Sequence, residues 1–120
     1  MSMVLRNGAH PSLIYLPRKE HFTFYDLRDA HGQYGAAALA EHADCLELHL
    51  EVFRFGPRAA RALAADLEEL KTLARARGKA RIVGLTQPAG LAADERWFKF
   101  TRAFGFNGQR LYQSAELALD

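Results

Sequence analysis

The chain has 120 residues, enough for one domain that folds without covalent staples and buries about 65% of its unfolded surface. Sixteen Lys and Arg against fourteen Asp and Glu leave a net charge of +2, spread along the chain, which argues against a nucleic-acid partner. One cysteine, Cys45, excludes an internal disulfide, and no apolar run approaches the length of a membrane span. With no signal-peptide pattern at the start, a cytoplasmic protein is expected.

Residues 1–19 read as an irregular lead-in around Asn7-Gly8, Pro11 and Pro17, with one short strand or turn at Leu13-Ile14-Tyr15-Leu16. Residues 20–27 alternate aromatic and other side chains and predict a strand, followed by a turn over 28–32. The alanine-rich stretch 33–41 has helix propensity, but it is short, uncapped and wedged between a turn and a strong strand. It is read as a strand paired with its predecessor.

Residues 45–53 alternate cleanly, with Leu46, Leu48, Leu50 and Val52 on one face and Cys45, Glu47, His49, Glu51 and Phe53 on the other. Gly56-Pro57 then opens a helix over 57–77. Leu63, Leu67, Leu70 and Ala74 form its apolar stripe, Asp66, Glu68, Glu69, Lys71 and Arg75 are placed in solvent, and Gly78 is the left-handed cap. Arg58 and Arg61 put two cations at the positive end of this helix, unfavourable by roughly 0.3–1 kcal/mol each unless an anion compensates them. Residues 81–86 predict a buried parallel strand, so 45–86 is a βαβ unit. Beyond a loop over 87–93, Asp94 caps a second helix over 95–104 with Trp97, Phe100 and Phe104 on its apolar face, and 109–119 closes as a strand.

Two segments in this βββαβαβ order resemble the GNAT superfamily of N-acetyltransferases: 46–53 running through a Gly-Pro turn into PRAARAL, and RIVGLTQPA followed by WFKFTRAFGF. The resemblance implies a single α/β domain over 1–120, with a mixed, mostly antiparallel sheet, a βαβ unit and two helices packed on it. The two helices that usually precede the sheet have no counterpart in 1–19. Short members of this kind occur among phage and prophage genes, which makes such a source an expectation here.

The same resemblance names the site. Its pyrophosphate loop falls at the start of the first helix, so Val52, Phe53, Arg58, Ala59, Ala60 and Arg61 are the cofactor-binding candidates if coenzyme A is bound. Acetyl-CoA is then the acyl donor. A carboxylate on the preceding strand commonly serves as general base, and Glu51, nearest the expected cleft, is the candidate.

Two departures weigh against ordinary acetyl transfer. Arg58 stands where the pattern Gln/Arg-x-x-Gly-x-Gly/Ala has its first glycine, and Phe55 where it has Gln or Arg. Arg58 either blocks close approach of the phosphates or supplies charge to them. The family's frequent acid, a tyrosine four residues before the Gly-Phe pair, is replaced by Thr101. The reading favoured on these grounds is a structural or interaction module, acting as a homo-oligomer or on a protein partner; its rival is an acyl-CoA-dependent N-acetyltransferase with a nonstandard pyrophosphate loop. No metal site is expected, since residues two apart on one strand are too widely spaced to share an ion.

Overall fold

The computed structural model describes residues 3–16, 18–86, 95–110, 115 and 117. Two compact units make up the chain: Met1–Thr86, with the sheet and the long helix, and Gln87–Asp120, with the short helix. No helix among the described residues is long and apolar enough to cross a membrane.

In the first unit, strands β1 (Met3–Arg6), β2 (Thr23–Asp29), β3 (Gly32–Glu41), β4 (Cys45–Val52) and β5 (Arg81–Leu85) form one sheet in the order β1-β2-β3-β4-β5. The first three pairings are antiparallel and β4–β5 is parallel. A parallel pair requires a crossover. Helix α1 (Pro57–Ala76) supplies it, so the βαβ unit and the mixed, mostly antiparallel sheet are as the sequence predicts.

Three local expectations need correction. The lead-in holds a strand that was not expected, β1, while the Leu13–Leu16 run takes the turn of its two expected forms, following a 3-10 turn at Pro11–Leu13 and burying Leu13 and Leu16 against Phe24, Ala36 and Ala38. A second 3-10 turn, Lys19–His21, delays β2 to Thr23, and β2 then continues through Arg28 and Asp29. The reversal narrows to Ala30-His31, where the Asp29 carboxylate accepts the His31 N–H at 2.8 Å. The expected loop over 87–93 and the capping Asp94 lie outside the described residues. So does most of the predicted closing strand over 109–119, whose first two residues, Gln109 and Arg110, are outside any strand.

Strand β3 shows why its alanines form a strand. It is paired on both edges and covered on both faces, so Ala36, Ala37, Ala38 and Ala40 are buried. Small side chains let other groups approach the middle of the sheet, and this tertiary gain overrides their helix propensity.

A bulge between Leu27 and Arg28 of β2 leaves Tyr34 as an extra residue of β3. Its fully buried side chain donates a 2.6 Å hydrogen bond to the Asp66 carboxylate. Asp66, expected in solvent, is therefore buried on the core side of α1, beside Ala59, Leu63, Leu67, Leu70 and Ala74. Gly35 follows the bulge, and a Cβ there would lie 2.5 Å from the Glu51 carbonyl, so the close approach of β3 and β4 requires glycine.

At the far end of α1, Gly78 adopts φ +70° and the Lys79 N–H returns to the Ala74 carbonyl at 2.9 Å, the expected left-handed stop.

In the second unit, α2 (Glu95–Ala103) and the turn after it place Trp97, Phe100 and Phe104 in succession, with ring centroids 6.0 and 5.0 Å apart. Gly105 ends it at φ +92°, and the Phe106 N–H bonds back to the Thr101 carbonyl at 3.0 Å.

Candidate functional site

The β4–β5 ladder runs from Cys45↔Arg81 to His49↔Leu85, whereas β4 continues to Val52. Its last three residues therefore extend past the end of β5. On the other edge, the Phe53 N–H donates to the Tyr34 carbonyl at 2.8 Å, and Val52 lies opposite Gly35. In an antiparallel ladder this makes Gly35–Val52 a non-hydrogen-bonded pair, with the Val52 N–H and C=O turned away from β3. They point to the edge where the described ladder has stopped. Phe53, by contrast, has its N–H committed to Tyr34, so only Val52 of this pair offers backbone groups to a ligand.

The bulge that places Tyr34 also fixes how β4 leaves the sheet, because the Arg54 N–H reaches the same carbonyl at 3.3 Å. The Arg54 side chain is anchored by the Asp29 carboxylate at 2.6 Å and the Gly32 carbonyl at 3.4 Å. That hydrogen bond holds the Asp29 carboxyl below the usual carboxylate range.

Gly56 is the N-cap of α1 at φ +133°, a conformation L side chains rarely adopt, and a Cβ there would meet nothing within 4 Å. Pro57 has no N–H, and the Ala60 N–H closes the first turn onto the Gly56 carbonyl at 2.9 Å. The donors left open are the N–H groups of Arg58 and Ala59, with no side chain capping them.

Arg58 and Arg61 are exposed. With Ala62, Val4, Arg28, Asp29 and Ala30 they line an open depression of about 680 Å³ between the start of α1, β1 and the β2–β3 turn. The two sequence-predicted arginines thus lie together, joined by a third that sequence reasoning missed. Ala59 is buried under the helix, and Ala60 is exposed.

On the sheet face opposite α1, β4 carries Glu47, His49 and Glu51. The first two are engaged. Glu47 holds His49 Nε2 at 2.6 Å with one oxygen and His42 Nε2 at 2.7 Å with the other. Burial pushes the Glu47 carboxyl up, but the hydrogen bonds from His49 and His42 outweigh it and leave it below the usual range.

Glu51 has neither a hydrogen bond nor an ion pair among the described residues, and burial raises its carboxyl above the ordinary value. A half-buried, unpaired carboxylate of raised pKa suits proton abstraction better than a solvated one. Tyr15 stands beside it. Burial, reinforced by the negative charge of Glu51, pushes its phenol up to about 12, and its hydroxyl lies 3.5 Å from His49 Nδ1. Sequence reasoning missed Tyr15, because only the 3-10 turn before it carries the ring across to β4.

Thr101 is placed in no position to supply a proton. Its hydroxyl faces the Trp97 and Phe98 carbonyls at 2.9 and 3.1 Å and accepts from Gln109 Nε2 at 3.3 Å. Among the described residues no group of three or more His, Cys, Asp or Glu side chains is arranged to hold a metal ion.

No protein-family model and no curated protein sequence matches the chain. Solved structures do. A probable acetyltransferase superposes with a TM-score of 0.55 at 16% identity, over 86% of this chain and 71% of that one. An aminoglycoside acetyltransferase from an uncultured soil metagenomic sample gives 0.55 at 22% identity, over 92% and 77%. The aminoglycoside N-acetyltransferase AAC(6')-Iy in complex with CoA gives 0.54 at 16% identity, over 82% and 78%. At these identities the likeness is one of fold: the chain has a GNAT-like α/β architecture.

Proposed function

We propose that the protein is an acyl-CoA-dependent N-acyltransferase. The observation that carries this reading is the end of β4, where the Val52 N–H and C=O face an edge β5 no longer covers, five residues before a helix start with two open N–H donors. A thioester of coenzyme A fits such a path. Val52 would bond its amide-containing arm, the Arg58 and Ala59 N–H groups would meet its phosphates, and Arg58 and Arg61 would add charge. Bound there, it supplies an acyl group activated toward attack by an amine.

The remaining roles fall to this chain's own groups. Glu51 takes a proton from the acceptor ammonium and leaves the nitrogen lone pair free, and its raised pKa brings proton affinity closer to that of an amine. The phenol of Tyr15, lifted to about 12, stays protonated at neutral pH and keeps a donor at the mouth of the site.

A second reading, an interaction module acting as a homo-oligomer or on a protein partner, is favoured by one observation. The Thr101 hydroxyl, at the position of the family's tyrosine acid, is consumed within its own helix.

Calorimetric titration with acetyl-CoA and CoA separates the two, and Arg58→Gly reads out the loop. If Arg58 contacts the phosphates, the change removes a charge-assisted contact of roughly 1.5–3 kcal/mol, and affinity falls about tenfold to a hundredfold. Added salt should weaken the wild-type complex as well. Tighter binding by the glycine variant would identify Arg58 as a steric block. Absence of binding at submillimolar CoA by both proteins would leave the module reading standing.

A further inference from the structure

We infer that the acceptor is a monoamine carried on an aromatic or flat apolar body, an arylalkylamine in chemical class, and not a polyamine or other polycation. The inference rests on the acyltransferase reading and concerns the sheet face that carries Glu51.

Charge on that face is the first ground. Glu47 is taken by two histidines. Asp26 is held by Arg6 Nη1 at 3.2 Å and Gln33 Nε2 at 2.9 Å. Among the described carboxylates here, Glu51 alone remains unpaired. One open carboxylate matches one ammonium; a second or third cation would find no partner and would lose solvation on entering.

The flanks of that carboxylate are the second ground, and they are aromatic in both directions along the strand. Two residues before Glu51, the His49 ring is met by Tyr15 at 6.2 Å and by Phe22 at 5.5 Å, both edge-on. Two residues after it, Phe53 is 45% exposed and lies against the His10 ring at 4.6 Å and 30°. His10 is itself fixed, because its Nδ1 accepts the Ser12 N–H at 3.1 Å at the head of the 3-10 turn.

His10, Tyr15, Phe22 and Phe53 thus lay rings on both sides of a single carboxylate. Such a surface offers a flat body stacking area and places ring faces near an ammonium, which cation–π attraction favours. The half-exposed Phe53 is the ring with area left to offer.

The test is binding by the full chain without any acyl donor, read by calorimetry or ligand-observed NMR with phenethylamine and spermidine as probes. Phenethylamine should bind at least tenfold more tightly than spermidine. Phe53→Ala should weaken phenethylamine by roughly tenfold, with Phe53→Leu, which keeps apolar volume but not the ring, falling between.

Spermidine binding as tightly as phenethylamine, no phenethylamine binding, or indifference to both Phe53 variants would overturn the inference. Because CoA is titrated separately, failure of the acyltransferase reading is seen as lost CoA binding, whatever the amines do.

Discussion

Leu67→Ala is expected to destabilise the Met1–Thr86 unit by about 2–5 kcal/mol, measured as a fall in denaturation midpoint at constant slope. Leu67 is 5% exposed in the middle of α1, flanked one turn away by Leu63 and Leu70 and adjoining the buried Asp66. Sheet and helix meet there across side chains already in place, so the vacated volume cannot close without moving the helix. The effect should reach the upper part of the range if the helix stays put, because Asp66 is tied to Tyr34 at 2.6 Å and resists collapse. A loss well under 1 kcal/mol would mean that α1 does not pack on the sheet through this residue.

Glu51→Gln carries the other large effect, on rate. Removing the proposed base should lower kcat by roughly 10²- to 10⁴-fold while leaving CoA affinity unchanged. The wild-type rate should fall as pH is lowered through the raised Glu51 value, and that limb should vanish in the variant.

Stability should move the other way. A carboxyl whose folded-state pKa is raised binds its proton more tightly in the native state. Its contribution is therefore complete below the unfolded value and is lost as pH rises through the folded one. At neutral pH the glutamate is held charged against burial, so the uncharged glutamine should leave the protein as stable or slightly more so. Lower activity with unreduced stability is the pattern of a group placed for chemistry and not for packing. Equal losses of both would assign Glu51 to the scaffold.

How much of this was legible in the sequence depends on distance along the chain. The βαβ unit could be read because its signals are local: alternation in β4, Gly56-Pro57 at the helix start, a leucine stripe, Gly78 at the stop. Glu51 shared a face with His49 by the same alternation.

What escaped were features made by partners far away. Asp66 looks like a solvent-facing residue between Ala65 and Leu67 until a bulge in β3 turns Tyr34 toward it from 32 positions earlier. Tyr15 and His10 reach β4 only because a 3-10 turn bends the lead-in over the sheet. Strand β1 gave no signal, since four residues with Val4 and Leu5 both exposed show no alternation. Arg28 joins Arg58 and Arg61 through tertiary folding alone.

The one parallel pairing has a consequence for how the sheet assembles. Strands β2, β3 and β4 are joined by short reversals, so their ladders can zip from neighbours in sequence. Strand β5 can pair with β4 only after the whole of α1 has been laid across the gap. The loop-closure entropy of that step falls on the seam between β4 and β5, which should be the last to form and the first to open. Amide protons of Ile82–Leu85 should accordingly exchange with solvent sooner than those of Ala36–Leu39, as native-state hydrogen exchange can measure. The protein would then hold its proposed donor path along an edge of the sheet that can part without unfolding the rest.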